Sequence, residues 1–265
     1  MAPVDGSGEI LYGFHAVREA LRSGARPLQR LMVARTDGRF AELLALARAA
    51  QVPIHIEPQA ALDRLARQVQ HQGVLGIVAA KRYAELDDIL RFAAAQAKPP
   101  FLLVLDGIED PNNLGAVTRT SEAAGVHGMF VPDRRSAGLT SVVAKASAGA
   151  LDHMRIGRAT NLSRLIEALQ RSGLWVYGLD PGSSKCYTAV DYRGPIALVL
   201  GGEGKGVRPG VLEKCDETVR IPMQGKVASL NVSAAAAIAL FEVVRQRTAE
   251  SGRSPVGQRS RNILP

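Results

Sequence analysis

Two runs, "FLLVL" at 101–105 and "IALVL" at 196–200, contain no polar residue at all. A strand with one face in water alternates apolar and polar side chains. A strand that is apolar at every position is covered on both faces, as in a parallel sheet flanked by helices. Shorter runs of the same character, "HGMFVP", "HMRIG", "LWVYGL" and "TVRIP", lie around them. Helical patterns occupy 114–124, 139–149, 161–171 and 208–214, and an alanine-rich helix is expected at about 231–247. This alternation predicts an α/β domain with a parallel sheet over 101–247.

The first 80 residues alternate on a smaller scale. "GFHAVREALRSG" reads as a helix stopped by Gly24, "LQRLMVAR" as a strand and "RFAELLALARAAQ" as a helix. "VPIHIE", "ALDRLARQV" and "GVLGIVAA" continue as strand, helix and strand, giving a small α/β domain over 1–80. Residues 81–100 mix charge, a short helical pattern and a double proline, and read as a linker. The tail 248–265 is polar, basic and aperiodic, and is expected to be disordered. A length of 265 residues accommodates two modest domains. No apolar run is long enough for a membrane span and "MAPVDGSGEI" lacks a secretory leader pattern, so a cytoplasmic protein is expected. The net charge of +8 points to a polyanionic partner such as nucleic acid, while an aromatic content of only 5% argues against a binder built on base-stacking platforms. Cys186 and Cys215 offer neither metal-ligand spacing nor a disulfide framework, and no metal is expected.

Ligands of open parallel sheets bind beyond the carboxyl ends of the strands. Three strands end in unusual loops: "DGIEDPNNLGAVTRTSEAAG" after the first, "GGEGKGVRPG" after "IALVL", and "PMQGKVASLNVSAAAA" after "TVRI". If these strands are neighbours, Asn113, Arg119, Glu203, Ser229 and Asn231 share one crevice. Asp110 to Asn113 also suits a plain turn and helix cap. An arginine six residues past Asn113 invites a phosphate partner. Gly202, Gly204 and Gly206 give G-x-G-x-G, not the dinucleotide fingerprint, and no Lys-Ser/Thr pair follows. Such glycines instead let the main chain approach a flat ligand closely. Before the last helix stand Ser229, Asn231 and Ser233, more small polar residues than one cap needs.

Together, "NNLGAVTRTSEAAG", "ALVLGGEGKGV" and "IPMQGKVASLNVSAAAAIALFEVVRQR" resemble the three ordered motifs of SPOUT-class RNA ribose 2′-O-methyltransferases. "YGFHAVREAL" and "HQGVLGIV" are similar to the N-terminal substrate-binding domain of one branch, the bacterial 23S ribosomal RNA guanosine-2′-O-methyltransferases. The resemblance runs from about Tyr12 to Arg247. It implies a knotted (trefoil) catalytic domain, a ribosomal-protein L30e-like N-terminal RNA-binding domain, and homodimers packed through the catalytic domains near the active site. It implies S-adenosylmethionine as cofactor, with Gly178, Gly201, Gly202, Ile221 and Leu230 at its pocket. Asn113, Arg119, Glu203, Ser229 and Asn231 would form the catalytic set, acting on a guanosine ribose of 23S ribosomal RNA.

In-line transfer from a sulfonium needs alignment more than activation, and no metal. Deprotonating a guanidinium at neutral pH costs roughly 8 kcal/mol, which favours Arg119 as a phosphate clamp over a general base. The five histidines lie outside the motifs and read as structural or surface residues. Rival readings are a transfer RNA ribose methylase with the same motifs, a non-catalytic RNA-binding assembly factor, and a dinucleotide-dependent oxidoreductase. The glycine spacing disfavours the last, and the intact set from Asn113 to Asn231 disfavours the assembly factor.

Overall fold

The computed structural model describes residues 8–66, 69–202, 204–227 and 229–250. Glu203 and most of the tail, 251–265, lie outside the described residues.

The N-terminal unit comprises β1 (Gly8–Tyr12), α1 (Phe14–Ser23), β2 (Leu28–Val33), α2 (Phe40–Ala49), β3 (Ile54–Ile56), α3 (Gln59–Ala66) and β4 (Val74–Ala79). Its sheet runs β1-β4-β2-β3, with β4 antiparallel to both neighbours and β2 parallel to β3. As its sequence predicts, α1 stops at Gly24, whose φ of 60° is left-handed and whose N–H returns to the carbonyl of Ala20. β1 is an addition to the expected pattern; only Leu11 of its five residues is buried.

The second unit follows with α4 (Leu86–Ala95), β5 (Phe101–Asp106), α5 (Pro111–Ala123), β6 (Gly128–Pro132), α6 (Ser141–Ala146), α7 (Ala150–His153), β7 (Ile156–Ala159), α8 (Leu162–Arg171), β8 (Trp175–Leu179), β9 (Ile196–Gly201), α9 (Pro209–Leu212), β10 (Glu217–Val219) and α10 (Val232–Glu250). Its sheet has the order β10-β8-β9-β5-β6-β7, and every neighbouring pair is parallel. The all-apolar strands are covered on both faces, as their composition requires. On β5, Phe101, Leu103 and Leu105 join one core with Leu114 and Val117 of α5 and Ala236, Ala239, Leu240 and Val243 of α10. The alternate residues Leu102 and Val104 face the other core, with Ile166 and Leu169 of α8 and Ile89 of α4.

Three local expectations shift. Of the helix expected over 139–149 only Ser141–Ala146 is helical; a turn through Gly149, whose φ is 91°, then leads into the separate α7. The strand expected at "HMRIG" begins only at Ile156, because α7 takes His153. The 81–100 stretch carries α4, whose Ile89 and Ala93 are fully buried. Its approach is pinned by the Ala84 N–H on the carbonyl of Ile156 and by Arg158, stacked 4.1 Å over the Tyr83 ring.

The two units touch through α1, β1, α6 and α7. At the centre, Arg26 is only 3% exposed; its Nε donates to Asp152 of α7 at 2.5 Å and its Nη1 to Glu9 of β1 at 3.0 Å. The Lys145 ammonium donates to the carbonyl of Gln70 at 2.9 Å. Glu19 approaches Gly149 so closely that a Cβ there would meet its Cβ at 2.5 Å.

Candidate active site

The site forms where β5 and β9, distant in sequence, pair side by side with Asp106 opposite Gly201. At the end of β5 the chain turns through Gly107 (φ 81°) and enters α5. Asp110 caps that helix: its carboxylate accepts the Asn112 N–H at 2.9 Å, with Pro111 at the first helical position. Capping is thus done by Asp110, and Asn113 faces the crevice.

At the end of β9 the main chain doubles back. A Cβ on Gly201 would lie 1.8 Å from the carbonyl carbon of Gly206, and one on Gly202 would lie 1.9 Å from the carbonyl oxygen of Gly107. No other residue fits at either position. The Gly202 N–H donates to the Asp106 carbonyl at 2.7 Å, and the Asp106 carboxylate, 3% exposed, receives both the N–H and the Nε of Arg208 at 2.9 Å. Asp106 therefore closes the glycine loop at both ends.

The third motif arrives by a longer route than neighbouring strands would give. β10 is separated from β9 by β8, so the expected adjacency of all three strands does not hold. The chain instead returns from Val219 towards α10, and its early part is held against the 183–187 loop by the Arg220 N–H on the Lys185 carbonyl (2.8 Å) and Arg220 Nη1 on the Ser183 carbonyl (2.9 Å). Asn231 caps α10, its Oδ1 accepting the Ser233 N–H at 2.8 Å and the Ser233 hydroxyl at 2.6 Å. Its Nδ2 donates to Asn113 Oδ1 at 3.2 Å, joining the first motif to the last. The three small polar residues thus divide the work: Asn231 caps and bridges, Ser233 bonds the cap side chain rather than the backbone, and Ser229 lines a cavity.

That cavity measures about 420 Å³. Gly201, Gly202, Ile221, Ser229 and Leu230, all expected at the site, line it. Leu179, Asp180, Pro181, Met223 and Ala235 line it too and were not expected; "GLDPG" follows a strand, so the rule of carboxyl ends applies to it equally. Gly178 is not in the lining. It sits within β8, where a Cβ would meet Leu212 at 2.8 Å and the Cys215 sulfur at 3.2 Å. The close approach of Leu212 and Cys215 leaves no room for a side chain there, and burial pushes the Cys215 thiol up to about 12.

A second cavity, of about 430 Å³, adjoins the first and shares Gly202, Lys205, Gly206 and Val232 with it. Asn113 lines it, together with Glu109, Asp110, Arg134, Arg135 and Arg208. Arg119 lines neither cavity; it is exposed on α5. None of the histidines lines either cavity. His127 packs below β5, its Nδ1 accepting the Phe101 N–H at 3.0 Å, and burial holds its pKa below the ordinary imidazole value.

A substrate-binding family model for RNA 2′-O-ribose methyltransferases matches residues 10–84, and the model of the SpoU rRNA methylase family matches residues 100–241. The chain is 42% identical over 252 residues (94% of this chain, 98% of the relative) to the protein YacO of Bacillus subtilis (strain 168), named as a TrmH-family tRNA/rRNA methyltransferase. It is 44% identical over 246 residues to the 23S rRNA (guanosine-2′-O-)-methyltransferase RlmB of Shewanella oneidensis, covering 90% of this chain and 98% of that one. Among solved structures it resembles an AdoMet-bound rRNA methyltransferase from Sinorhizobium meliloti (TM-score 0.75, 26% identity, 90% and 87% of the two chains). It also resembles the SpoU methyltransferase AviRb from Streptomyces viridochromogenes in complex with AdoMet (TM-score 0.77, 25% identity, 92% and 91%). With an all-parallel sheet, a glycine-floored cavity at its carboxyl edge and matches across both units, the chain belongs to the SpoU rRNA methylase family of RNA methyltransferases.

Proposed function

We propose that the chain methylates the 2′-hydroxyl of a guanosine ribose in 23S ribosomal RNA, with S-adenosylmethionine as donor. The observation that carries this reading is the hydrogen bond that joins Asn113 of the first motif to Asn231 of the last, next to a cavity lined by Ser229 and by Gly201 and Gly202, which admit no side chain.

The cavity's residues suit the donor. Leu179, Ile221, Met223 and Leu230 offer apolar walls for an adenine, and the two glycines leave main-chain groups close to the ligand. S-adenosylmethionine, when bound, supplies a methyl group already activated by its sulfonium. What the protein must add is alignment. Asn113 presents its amide to a ribose in the adjoining cavity, and Asn231, bonded to it from the start of α10, completes the set. We assign Ser229 to the same contact from the cofactor side and Glu203 to the catalytic set. Arg119, exposed on α5, we assign as a clamp on an RNA phosphate; its planar fork suits that ligand.

We further propose that 1–80 binds RNA, as its family match supports, that 101–247 is catalytic, and that the return from β10 to α10 is the threaded segment of a trefoil knot. α10 presents Ile238 and Phe241 to solvent, Phe241 at 48% exposure, and Val227 nearby in sequence is 70% exposed. We propose that a second copy covers these residues and that the catalytic domains so pair as a homodimer.

The names of relatives favour ribosomal RNA in one case and either RNA in others, so both are tested together. The protein is incubated with labelled S-adenosylmethionine and either 23S ribosomal RNA or transfer RNA, and the label is mapped by ribose-methylation-sensitive primer extension. The proposal expects a single guanosine stop in 23S ribosomal RNA. Label in transfer RNA alone would replace that substrate, and label in neither would overturn the reading.

A further inference from the structure

The second cavity contains cations to which the reading above gives no task. Arg134 and Arg135 follow β6, and Lys205 of the glycine loop lines the same cavity. Arg135 has a φ of 60°, a left-handed conformation that a long side chain adopts only at a cost. The surrounding loop imposes it. The Ser136 hydroxyl donates to the Pro132 carbonyl at 2.7 Å, and the Ala137 N–H donates to the Ile108 carbonyl at 2.8 Å, tying the loop to the exit of β5. Glycine is the residue that suits such a position, so an arginine there points to a use for its side chain. Arg134 and Arg135 are both exposed, and neither forms an ion pair with a described residue. Arg208, in the same cavity, is by contrast neutralised by Asp106.

We propose that Arg135, with Arg134 beside it, binds the RNA phosphate next to the methylated ribose; this rests on the methyl-transfer reading. A guanidinium fork takes a phosphate through two parallel hydrogen bonds. Because the two cavities share Gly202, Lys205, Gly206 and Val232, a ribose held at Asn113 lies in the same cavity as Arg135 and next to the donor site. Glu109 and Asp110 in the same lining make an isolated anion a poor occupant, so the phosphate is taken as part of a strand. The loop also leads directly into α6, whose Lys145 bonds Gln70 of the N-terminal unit. The loop that carries Arg134 and Arg135 thus connects the N-terminal unit's contact to the cavity that Asn113 lines. Arg119, outside the cavity, is left to a different phosphate.

The test compares wild type with Arg135→Gly and Arg135→Lys. Glycine relieves the left-handed backbone, so Arg135→Gly unfolds at the same or a higher temperature while its KM for a 23S ribosomal RNA transcript rises roughly tenfold to a hundredfold. Its affinity for S-adenosylmethionine, measured by calorimetry, stays at the wild-type value. Binding of the fluorescently labelled transcript, followed by anisotropy across a salt series, loses about 0.7 to 0.9 from the slope of log K against log salt, the signature of one lost phosphate contact. Arg135→Lys recovers the slope but only part of the KM. Wild-type KM and slope in Arg135→Gly would overturn the proposal, and so would a lower melting temperature with unchanged RNA binding. The anisotropy series requires no turnover, so it judges Arg135 even if the methyl-transfer reading fails in the labelling experiment.

Discussion

Asn113 and Asn231 are 118 positions apart, yet one hydrogen bond joins them. Each is fixed by its own helix start, so replacing either removes a bond between motifs rather than a local cap alone. Asn231→Ala loses the cap of α10 and is expected to lower stability by about 1 kcal/mol, measurable by denaturant titration. Its turnover loss should exceed what that instability explains, whereas Asn231→Asp, which keeps the cap acceptor, should restore stability without turnover. Gly201 is stricter. Adding a methyl group 1.8 Å from the Gly206 carbonyl carbon forces the loop to move, and Gly201→Ala is expected to weaken S-adenosylmethionine binding on the order of a hundredfold. Binding within a factor of three of wild type would show that the loop yields more easily than its packing indicates. For Arg119→Lys the expectation is retained RNA binding with kcat lower by about tenfold or more; a near-normal kcat would rule out a planar clamp.

At the scale of elements, sequence patterns revealed what depended on local composition. β5 and β9 were legible because both faces are buried, and α1 because Gly24 ends it. β1 was not, since a short strand with one buried residue has no period to read. The place of β10 was not either: which strand lies beside which is decided by tertiary packing, and β8 inserts itself between β9 and β10. The candidate site divides the same way. Gly201, Gly202, Ile221, Ser229 and Leu230, expected from their motifs, line the first cavity, whereas Gly178, expected with them, lies outside its lining against Leu212 and Cys215. His127 gives a pH test at this scale. Burial, with Arg247, Lys98 and Arg155 nearby, keeps it neutral in the folded chain below the pH at which the unfolded chain takes up a proton. The unfolded state then binds more protons, so this histidine's contribution to stability is full above about pH 6.5 and is lost as pH falls below it. Urea titrations between pH 5 and 7 should show that slope in wild type and a shallower one in His127→Asn.

Two features act on the whole molecule. The first is the apolar stripe of α10. If it is the contact between two copies, Phe241→Glu yields monomers by light scattering and abolishes methyl transfer while the fold is kept; a dimer that survives this change would place the contact elsewhere. The second is the ion pair of Arg26 with Asp152, buried between the two units, with Arg26 Nη2 and Asp152 Oδ2 lacking partners among the described residues. Removing one partner of a buried pair costs about 3–5 kcal/mol, while replacing both with apolar side chains is often neutral. Asp152→Leu should therefore be destabilising, and Arg26→Met/Asp152→Leu should recover most of that loss, since Glu9, which also loses Arg26, is part-exposed and keeps access to water, as a double-mutant denaturation cycle would show. That pairing also bears on how such enzymes diversify. An N-terminal unit transplanted from a relative would bring its own residue to face Asp152, so a chimera whose graft lacks an arginine there would inherit an unmatched buried charge unless the acceptor on α7 travelled with the graft.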